Sequence, residues 1–355
     1  MTNPLIISRD QALLDELARL CAAAGVSPDI VGDPAAALGG WGNASLVLVG
    51  VDLAAEVAAI EPGRRAGVHL IGWGRLPDEV FRVALTLGVE NVAELPRSDS
   101  WVLEVLAESG ERLDLDAVTI GVVGGSGGAG ATTFACALAE IAAHRTPTCL
   151  LDLDPLGPGV DTVLGMERSE GVRWDALQQS TGRLGARAFR ESLPRRNDLG
   201  VLTWGSGATT ADAQPFAVRA ALSAAVRGHG VVVLDLPRTG DLAEEVMARC
   251  QHLVVVTRAT VPGLASAARF VERALTSGPL AQVVRGTGIG AAEAARVVGA
   301  PVITVMGDQR GLDEAIDLGQ GPIKSRRSVL AKAAESVLAD CVPEVARDAH
   351  ADTAA

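Results

Sequence analysis

Gly124-Gly125-Ser126-Gly127-Gly128-Ala129-Gly130-Ala131-Thr132-Thr133 separates the apolar run Ala117 to Val123 from the helical stretch Phe134 to His144. A strand, a glycine loop and a helix N-terminus in that order point backbone N–H groups and the positive end of the helix dipole at one place, which suits a phosphate. Glycines at 124, 125, 127, 128 and 130 let the backbone approach closely and take positive φ. Gly125 and Gly130 have the spacing of G-x-x-x-x-G-K-[ST], in which the lysine reaches the β/γ-phosphates and the hydroxyl holds Mg²⁺. Thr132 stands at the hydroxyl position and Ala131 at the lysine position. Of the 31 lysines and arginines only Lys324 and Lys332 are lysines, so none nearby in sequence substitutes.

The chemistry expected is therefore anion binding with its cation removed. A lysine about 4 Å from a phosphate contributes on the order of 4 kcal/mol at an effective dielectric near 20, before desolvation. Losing a transition-state cation costs about 10³ to 10⁵ in phosphoryl-transfer rate. ATP and Mg²⁺ can still bind, and hydrolysis is expected to be weak or absent unless an arginine such as Arg238 or Arg258 moves in. The bland alternative is a glycine-rich turn with no ligand.

Two further segments bear on that choice. Cys149-Leu150-Leu151-Asp152-Leu153-Asp154 ends a strand in two acids, and Val231-Val232-Val233-Leu234-Asp235 ends another in one. Acids at the carboxyl ends of buried strands beside a phosphate loop are where Mg²⁺ or its bound water is held, although strands also end in Asp for turn chemistry alone. A rival reading exists. Gly125-x-Gly127-x-x-Gly130 also satisfies the dinucleotide fingerprint, with Asp152 as ribose acceptor, and would make the chain an NAD-type oxidoreductase. Thr132, Thr133, Asp154 and Asp235 are unexplained by that reading and expected of a phosphate-loop protein.

The elements that must position these residues follow from composition. The 355 residues are 48% hydrophobic and 21% charged, with 3% aromatics and no tyrosine, so the cores are built from Val, Leu, Ile and Ala, as in parallel strands covered on both faces. A net charge of −12 argues against nucleic acid as the main partner. Single cysteines at 21, 136, 149, 250 and 341, without a C-x-x-C pair, read as buried thiols of a reducing compartment. With no signal-like start and no apolar run of spanning length, a cytoplasmic location is expected.

Along the chain, 1–111 alternates five short strands with five helices, 112–116 reads as a charged linker, and 117–341 begins a second alternating series. Its strands are expected at 118–123, 148–153, 200–204, 231–235, 252–257, 280–284 and 302–306, and its last helix at 328–341, packed on the sheet. Residues 342–355 read as a disordered tail. The fold class expected is α/β: a small parallel-sheet domain before a larger, mainly parallel three-layer α/β/α domain. Arg173, Arg183, Arg187, Arg190, Arg195 and Arg196 make one segment basic. Arg183, Arg187 and Arg190 share helical spacing and could face DNA or anionic lipid. A solvated face balanced by Asp175, Glu191 and Asp198 is the favoured reading.

The glycine loop and the two acid-ended strands resemble the deviant Walker motifs of the MinD/ParA/CpaE group of P-loop ATPases, whose loop reads K-G-G-x-G-K-[ST]. The group's signature lysine, which reaches the partner's nucleotide across a dimer, falls on Ser126, and the ordinary loop lysine falls on Ala131. The resemblance implies that Thr132 holds Mg²⁺, Thr133 contacts the α-phosphate, Asp152 activates water, Asp154 belongs to switch I and Asp235 is the Walker B carboxylate. Gly125, Gly127, Gly128, Gly130, Ala131, Thr132 and Thr133 would bind the nucleotide, and Thr132, Asp154 and Asp235 the metal. The asparagine that often reads adenine in this group has no counterpart around Val283 to Gly286.

The first domain resembles a response-regulator receiver, as CpaE-type proteins carry ahead of their ATPase. Its chemistry looks deleted. Ser8-Arg9-Asp10 keeps one acid, Gly50 or Val51 occupies the phosphate-accepting place, Asp52 comes one or two residues late, no Ser or Thr lies between Ala66 and Ala84, and Leu95-Pro96 replaces Lys-Pro. A protein-binding or localising module is expected, rather than phosphorylation at Asp52. The resemblance runs furthest to the CpaE-like septum-site-determining proteins, which implies a homodimeric regulator of septum placement and cell division, recruited to the septum or inner membrane face. The alternative it leaves open is an active ATPase positioning a Flp-type pilus or secretion apparatus.

Overall fold

The computed structural model describes residues 3–110, 117–178, 184–205, 214–274 and 279–343. The expected linker 112–116, Arg183 and most of the expected tail lie outside them. The chain divides into two compact units, Met1–Asp114 and Leu115–Ala355.

In the first unit, β1 (Leu5–Ile7), β2 (Asp29–Val31), β3 (Val47–Gly50), β4 (Val68–Trp73) and β5 (Asn91–Leu95) alternate with α1 (Gln11–Ala24), α2 (Pro34–Trp41), α3 (Ala54–Ala59), α4 (Glu79–Leu87) and α5 (Asp99–Gly110). All strand pairs are parallel, in the order β2-β1-β3-β4-β5. Consecutive apolar residues such as Leu5-Ile6-Ile7 send side chains to both faces, and each face is covered. Leu13, Leu17 and Leu20 of α1 meet Val102, Val105 and Leu106 of α5 on one side, while Ala37, Ala54, Val57 and Val80 pack on the other. Asp10 caps α1 by accepting from the N–H groups of Ala12 and Leu13, and Gly25 closes it at φ 71°.

The second unit contains β6 (Val118–Gly124), α6 (Ala131–Ala143), β7 (Thr148–Asp152), α7 (Val160–Leu164), α8 (Trp174–Leu177), α9 (Ala186–Ser192), β8 (Arg195–Arg196) and β9 (Leu199–Leu202). There follow α10 (Pro215–Gly228), β10 (Val231–Leu236), α11 (Asp241–Met247), β11 (His252–Arg258), α12 (Val261–Ala274), β12 (Leu280–Arg285), α13 (Ala291–Val298), β13 (Val302–Met306), α14 (Leu312–Asp317) and α15 (Val329–Cys341). The sheet order is β13-β12-β11-β6-β10-β7-β9-β8, parallel throughout except for β8 against β9. The sequence reading lacks β8, because two residues carry no periodicity. Asn197, at φ 55°, turns the chain back so that Arg195 pairs with Gly200.

Each face of this sheet has its own core. Val218, Ala221 and Ala225 of α10 join residues of α11, α12 and α13 on one side, and α6 with α15 fills the other. Phe134 and Ala135 to Ala139 are all buried, which explains why α6 is built of small residues: it is wedged between the sheet and α15. Val342 is buried too and donates its N–H to Leu338, so ordered packing extends one residue into the tail expected from 342. Among the described residues no helix is long and apolar enough to cross a membrane.

Candidate functional site

Parallel strands in register bring their carboxyl ends to one edge of the sheet, where ligands of such folds bind. In this sheet Asp235 pairs with Asp152, Val256 with Gly124, and Arg258 with Arg285. The glycine loop leaves that edge between β6 and α6. Its geometry explains its glycines at particular places. A Cβ on Gly125 would lie 2.7 Å from Cβ of Ala267 on α12, so the loop passes too close to that helix for any side chain. Gly128 and Gly130 take φ 68° and 91°, the second forming the N-cap of α6. Ala131, Thr132 and Thr133 open the helix, where backbone N–H groups have no intrahelical acceptor. Gly127 and Gly128 are exposed at the tip, and Ser126 is half-buried, its carbonyl accepting from Ala129.

The structure brings Thr132 and Asp235 together, the hydroxyl close enough to the carboxylate to favour its charged form. Asp235 is only 2% exposed, and its Oδ2 has no hydrogen-bond partner. Burial, then the neighbouring Asp152 charge, push its carboxyl up to about 8, against a smaller downward pull from Thr132. A buried, unpaired carboxylate oxygen is costly on its own and is explained by a missing cation, water or proton. The hydroxyl and spare oxygen fit Mg²⁺, which takes one or two protein ligands and fills the rest of its shell with phosphate and water. Among the described residues no three His, Cys, Asp or Glu side chains converge, so a closed all-protein metal cage is not what the site offers.

The other two acids are placed differently. Asp152 is pinned: Oδ1 accepts from the N–H of Asp154 at 3.2 Å, and Oδ2 from the N–H of Val160 at 3.2 Å and the Thr203 hydroxyl at 2.7 Å. Burial raises its pKa to about 6, with Thr203 and the two amides opposing. It is thus a fixed charge beside Asp235, with most of its acceptor capacity taken, which also leaves it poorly suited to a ribose hydroxyl. Asp154 is half-buried and turns the chain by accepting from the Leu156 N–H at 3.1 Å.

The arginine at the loop is not one named from the sequence. Arg238 donates to the Ser266 hydroxyl at 3.0 Å, and Arg258 is exposed at the end of β11. Arg285, at the end of β12, instead places Nη1 3.4 Å from the Ala129 carbonyl and 2.8 Å from where a Cβ on Gly130 would be. Its Nε donates to Asp308 at 2.7 Å. Only the strand order, which puts β12 two places from β6, brings it there, and strand order is not written in local sequence.

In the basic segment, Arg187 pairs with Glu191, Arg195 with Asp198, Arg173 with Asp161 and Arg196 with Glu140. Glu191 and Asp198 are thus two of the three acids expected to balance it, whereas Asp175 accepts from the Gly205 N–H at 3.1 Å, and the sequence did not suggest Asp161 and Glu140. In the first unit, Asp52 accepts from the Ser8 hydroxyl at 2.9 Å and from the N–H groups of Arg9 and Asp10 at 2.7 and 3.2 Å.

Over 338 residues the chain is 35% identical to the protein Rv3660c of Mycobacterium tuberculosis strain ATCC 25618 / H37Rv, covering 93% of this chain and 95% of that one. The chain belongs to the Rv3660c-like family. The match to that family's own model, described as an Rv3660c-like, CheY-like N-terminal domain, spans residues 7–115. The second unit of this family member has the fold of the MinD/ParA P-loop ATPases. It is similar to the ParA family ATPase from Chlorobium tepidum TLS, with 16% identity, TM-score 0.53, and coverage of 63% of this chain and 97% of that one. It is equally similar to the septum site-determining protein MinD complexed with Mg-ADP from Pyrococcus horikoshii OT3, with 17% identity, TM-score 0.53, and coverage of 62% and 96%. At such identity these structures speak for the fold; this chain thus joins a CheY-like unit to a unit with the MinD/ParA fold.

Proposed function

We propose that this chain is a MinD/ParA-like nucleotide-binding regulator of septum-site placement and cell division, which holds ATP with Mg²⁺ in its second unit and hydrolyses it weakly or not at all. The observation that carries the reading is the Thr132–Asp235 pair under the glycine loop, with Asp235 Oδ2 buried and without a partner. In this reading the backbone from Gly125 to Thr133 cradles the phosphates, Thr132 and Asp235 hold the metal, and Asp154 lies beside it. Mg²⁺, when bound, supplies charge neutralisation for the β- and γ-phosphates. Ser126 and Ala131 carry no charge where two lysines would stand, which supports binding over turnover. Asp152 keeps its geometry but acts mainly as a fixed negative charge.

The biological level comes from the likenesses. One similar structure is a septum site-determining protein with Mg-ADP, and another, from Aquifex aeolicus, is a MinC:MinD cell division complex. By analogy the chain works as a homodimer with a partner protein at the septum or the inner membrane face, and its CheY-like unit serves as the docking module. Calorimetry with Mg·ATP on the full chain, run beside a phosphate-release assay, tests the site. Binding without steady release is expected. No binding would overturn the nucleotide reading, and steady release would favour an ATPase that positions a pilus or secretion apparatus. In cells, raised dosage of the wild-type chain is expected to lengthen them, and equal dosage of Asp235→Ala is not.

A further inference from the structure

We propose that Arg285 supplies the positive charge that the glycine loop lacks, reaching a bound phosphate from β12 in place of a lysine on α6; this deepens, and rests on, the reading of the loop as a nucleotide site. The side chain is aimed by its backbone. Ala259 donates its N–H to the Arg285 carbonyl at 2.8 Å, and Gly286 donates its own to Met306 at 2.8 Å, so the residue is clamped between β11 and β13. Gly286, at φ 109°, turns the chain away immediately afterwards, in a conformation that a side chain there would strain. The guanidinium therefore projects over the end of β11 onto Ala129 and Gly130.

Among the described residues one acid pairs with Arg285. A cation beside the positive end of α6 is electrostatically unfavourable unless a negative group joins them. The negative group present is Asp308, 71% exposed, whose ion pair with the 31% exposed Arg285 is weak and readily exchanged. Of the five N–H donors in a guanidinium, one goes to Asp308 and one, at 3.4 Å, to Ala129. The rest remain to reach phosphate oxygens in the planar geometry that suits them. An independent feature points to the same ligand from the other side: Asp235 Oδ2, buried and unpartnered, where the phosphate-bound metal would sit. Together they frame an anion with its cation, and Asp308 acts as the placeholder that a phosphate displaces.

The test is Mg·ATP calorimetry on the full chain, with melting curves for every variant. Arg285→Ala is expected to weaken binding about 10- to 100-fold, the loss of one charge-assisted contact. Arg285→Lys is expected to retain part of the affinity, and Asp308→Asn to bind at least as tightly as the wild type. The deciding variant is Arg285→Ala combined with Ala131→Lys, which returns the charge from α6 and is expected to recover most of the loss; a merely structural arginine would not be rescued this way. Should Arg285→Ala fail to fold, Arg285→Gln gives the same comparison with a neutral side chain of similar reach. Binding by Arg285→Ala within about 2-fold of wild type, with Asp235→Ala still defective, would overturn this inference and leave the nucleotide site standing. Absence of rescue by Ala131→Lys would also overturn it. If neither wild type nor Ala131→Lys binds Mg·ATP, the nucleotide reading itself falls, and this inference with it.

Discussion

Asp52 and Asp235 stand at comparable places in the two units, just past and just before the carboxyl end of a central parallel strand, and their surroundings are opposite. Asp52 is exposed yet satisfied: Ser8, Arg9 and Asp10 donate to both of its oxygens. Asp235 is buried yet unsatisfied: its Oδ2 has no hydrogen-bond partner, although the Thr132 hydroxyl is close enough to lower its pKa. A Cβ on Gly50 would lie 2.2 Å from Asp52 Oδ1, so the place where a receiver carries its phosphate acceptor is already filled from within by the carboxylate two residues on. An acid whose hydrogen bonds the chain itself completes is closed to chemistry, whereas a buried acid left incomplete marks a ligand. On the proposed reading, binding falls to the second unit, and Asp52 serves structure in the first.

The sharpest way to break it is to delete each acid. Asp235→Ala is expected to weaken Mg·ATP binding at least about 100-fold, close to 3 kcal/mol, while Asp52→Ala leaves it unchanged; calorimetry on both variants decides. A smaller effect is expected from refilling the acceptor position. Gly50→Asp would force a second carboxylate onto Asp52 and should destabilise the first unit by about 2 kcal/mol, read in chemical unfolding, without creating a site labelled by acetyl phosphate. Next comes Asp52→Ala, which strands the donors on Ser8, Arg9 and Asp10 and should cost roughly 1 kcal/mol in the same assay, less than a buried group because water can reach them.

The smallest effect is a pH slope. Asp235, raised to about 8 by burial, and Asp152, raised to about 6, hold protons in the folded chain that an unfolded aspartate releases near pH 4. The folded state therefore binds more protons than the unfolded one between those values, and stability falls as pH rises. Between pH 6 and 7 Glu140, raised to about 7 by burial, adds to the slope, and Asp235 carries it on to pH 8. The free chain is expected to be less stable at pH 8 than at pH 7, by on the order of 1 kcal/mol. Asp235→Asn should flatten that slope, and a slope unchanged by the substitution would remove Asp235 as its source.

Much of this site was legible before the fold. The glycine loop, Thr132 and the acids at 152, 154 and 235 lie in contiguous segments whose apolar runs and turn chemistry announce strand ends, and short-range pattern suffices for them. Arg285 was not legible as part of the site, because its closeness to Gly130 comes from the order of parallel strands, not from spacing. The occupied state of Asp152 was hidden for a similar reason: Thr203, its strongest donor, is 51 residues away and arrives on the segment that follows β9. The filling of the Gly50 position by Asp52 depends on a turn geometry two residues long, which alternation of strands and helices does not encode. Tertiary partners, more than element positions, decided which acids are open.

Hydrogen–deuterium exchange on the full chain with and without Mg·ATP tests the contrast most directly. Protection is predicted in peptides spanning 124–134 and 232–238, with no change in peptides covering 7–12 and 47–54. Unchanged exchange at 124–134 under saturating Mg·ATP, or protection confined to the first unit, would contradict the account.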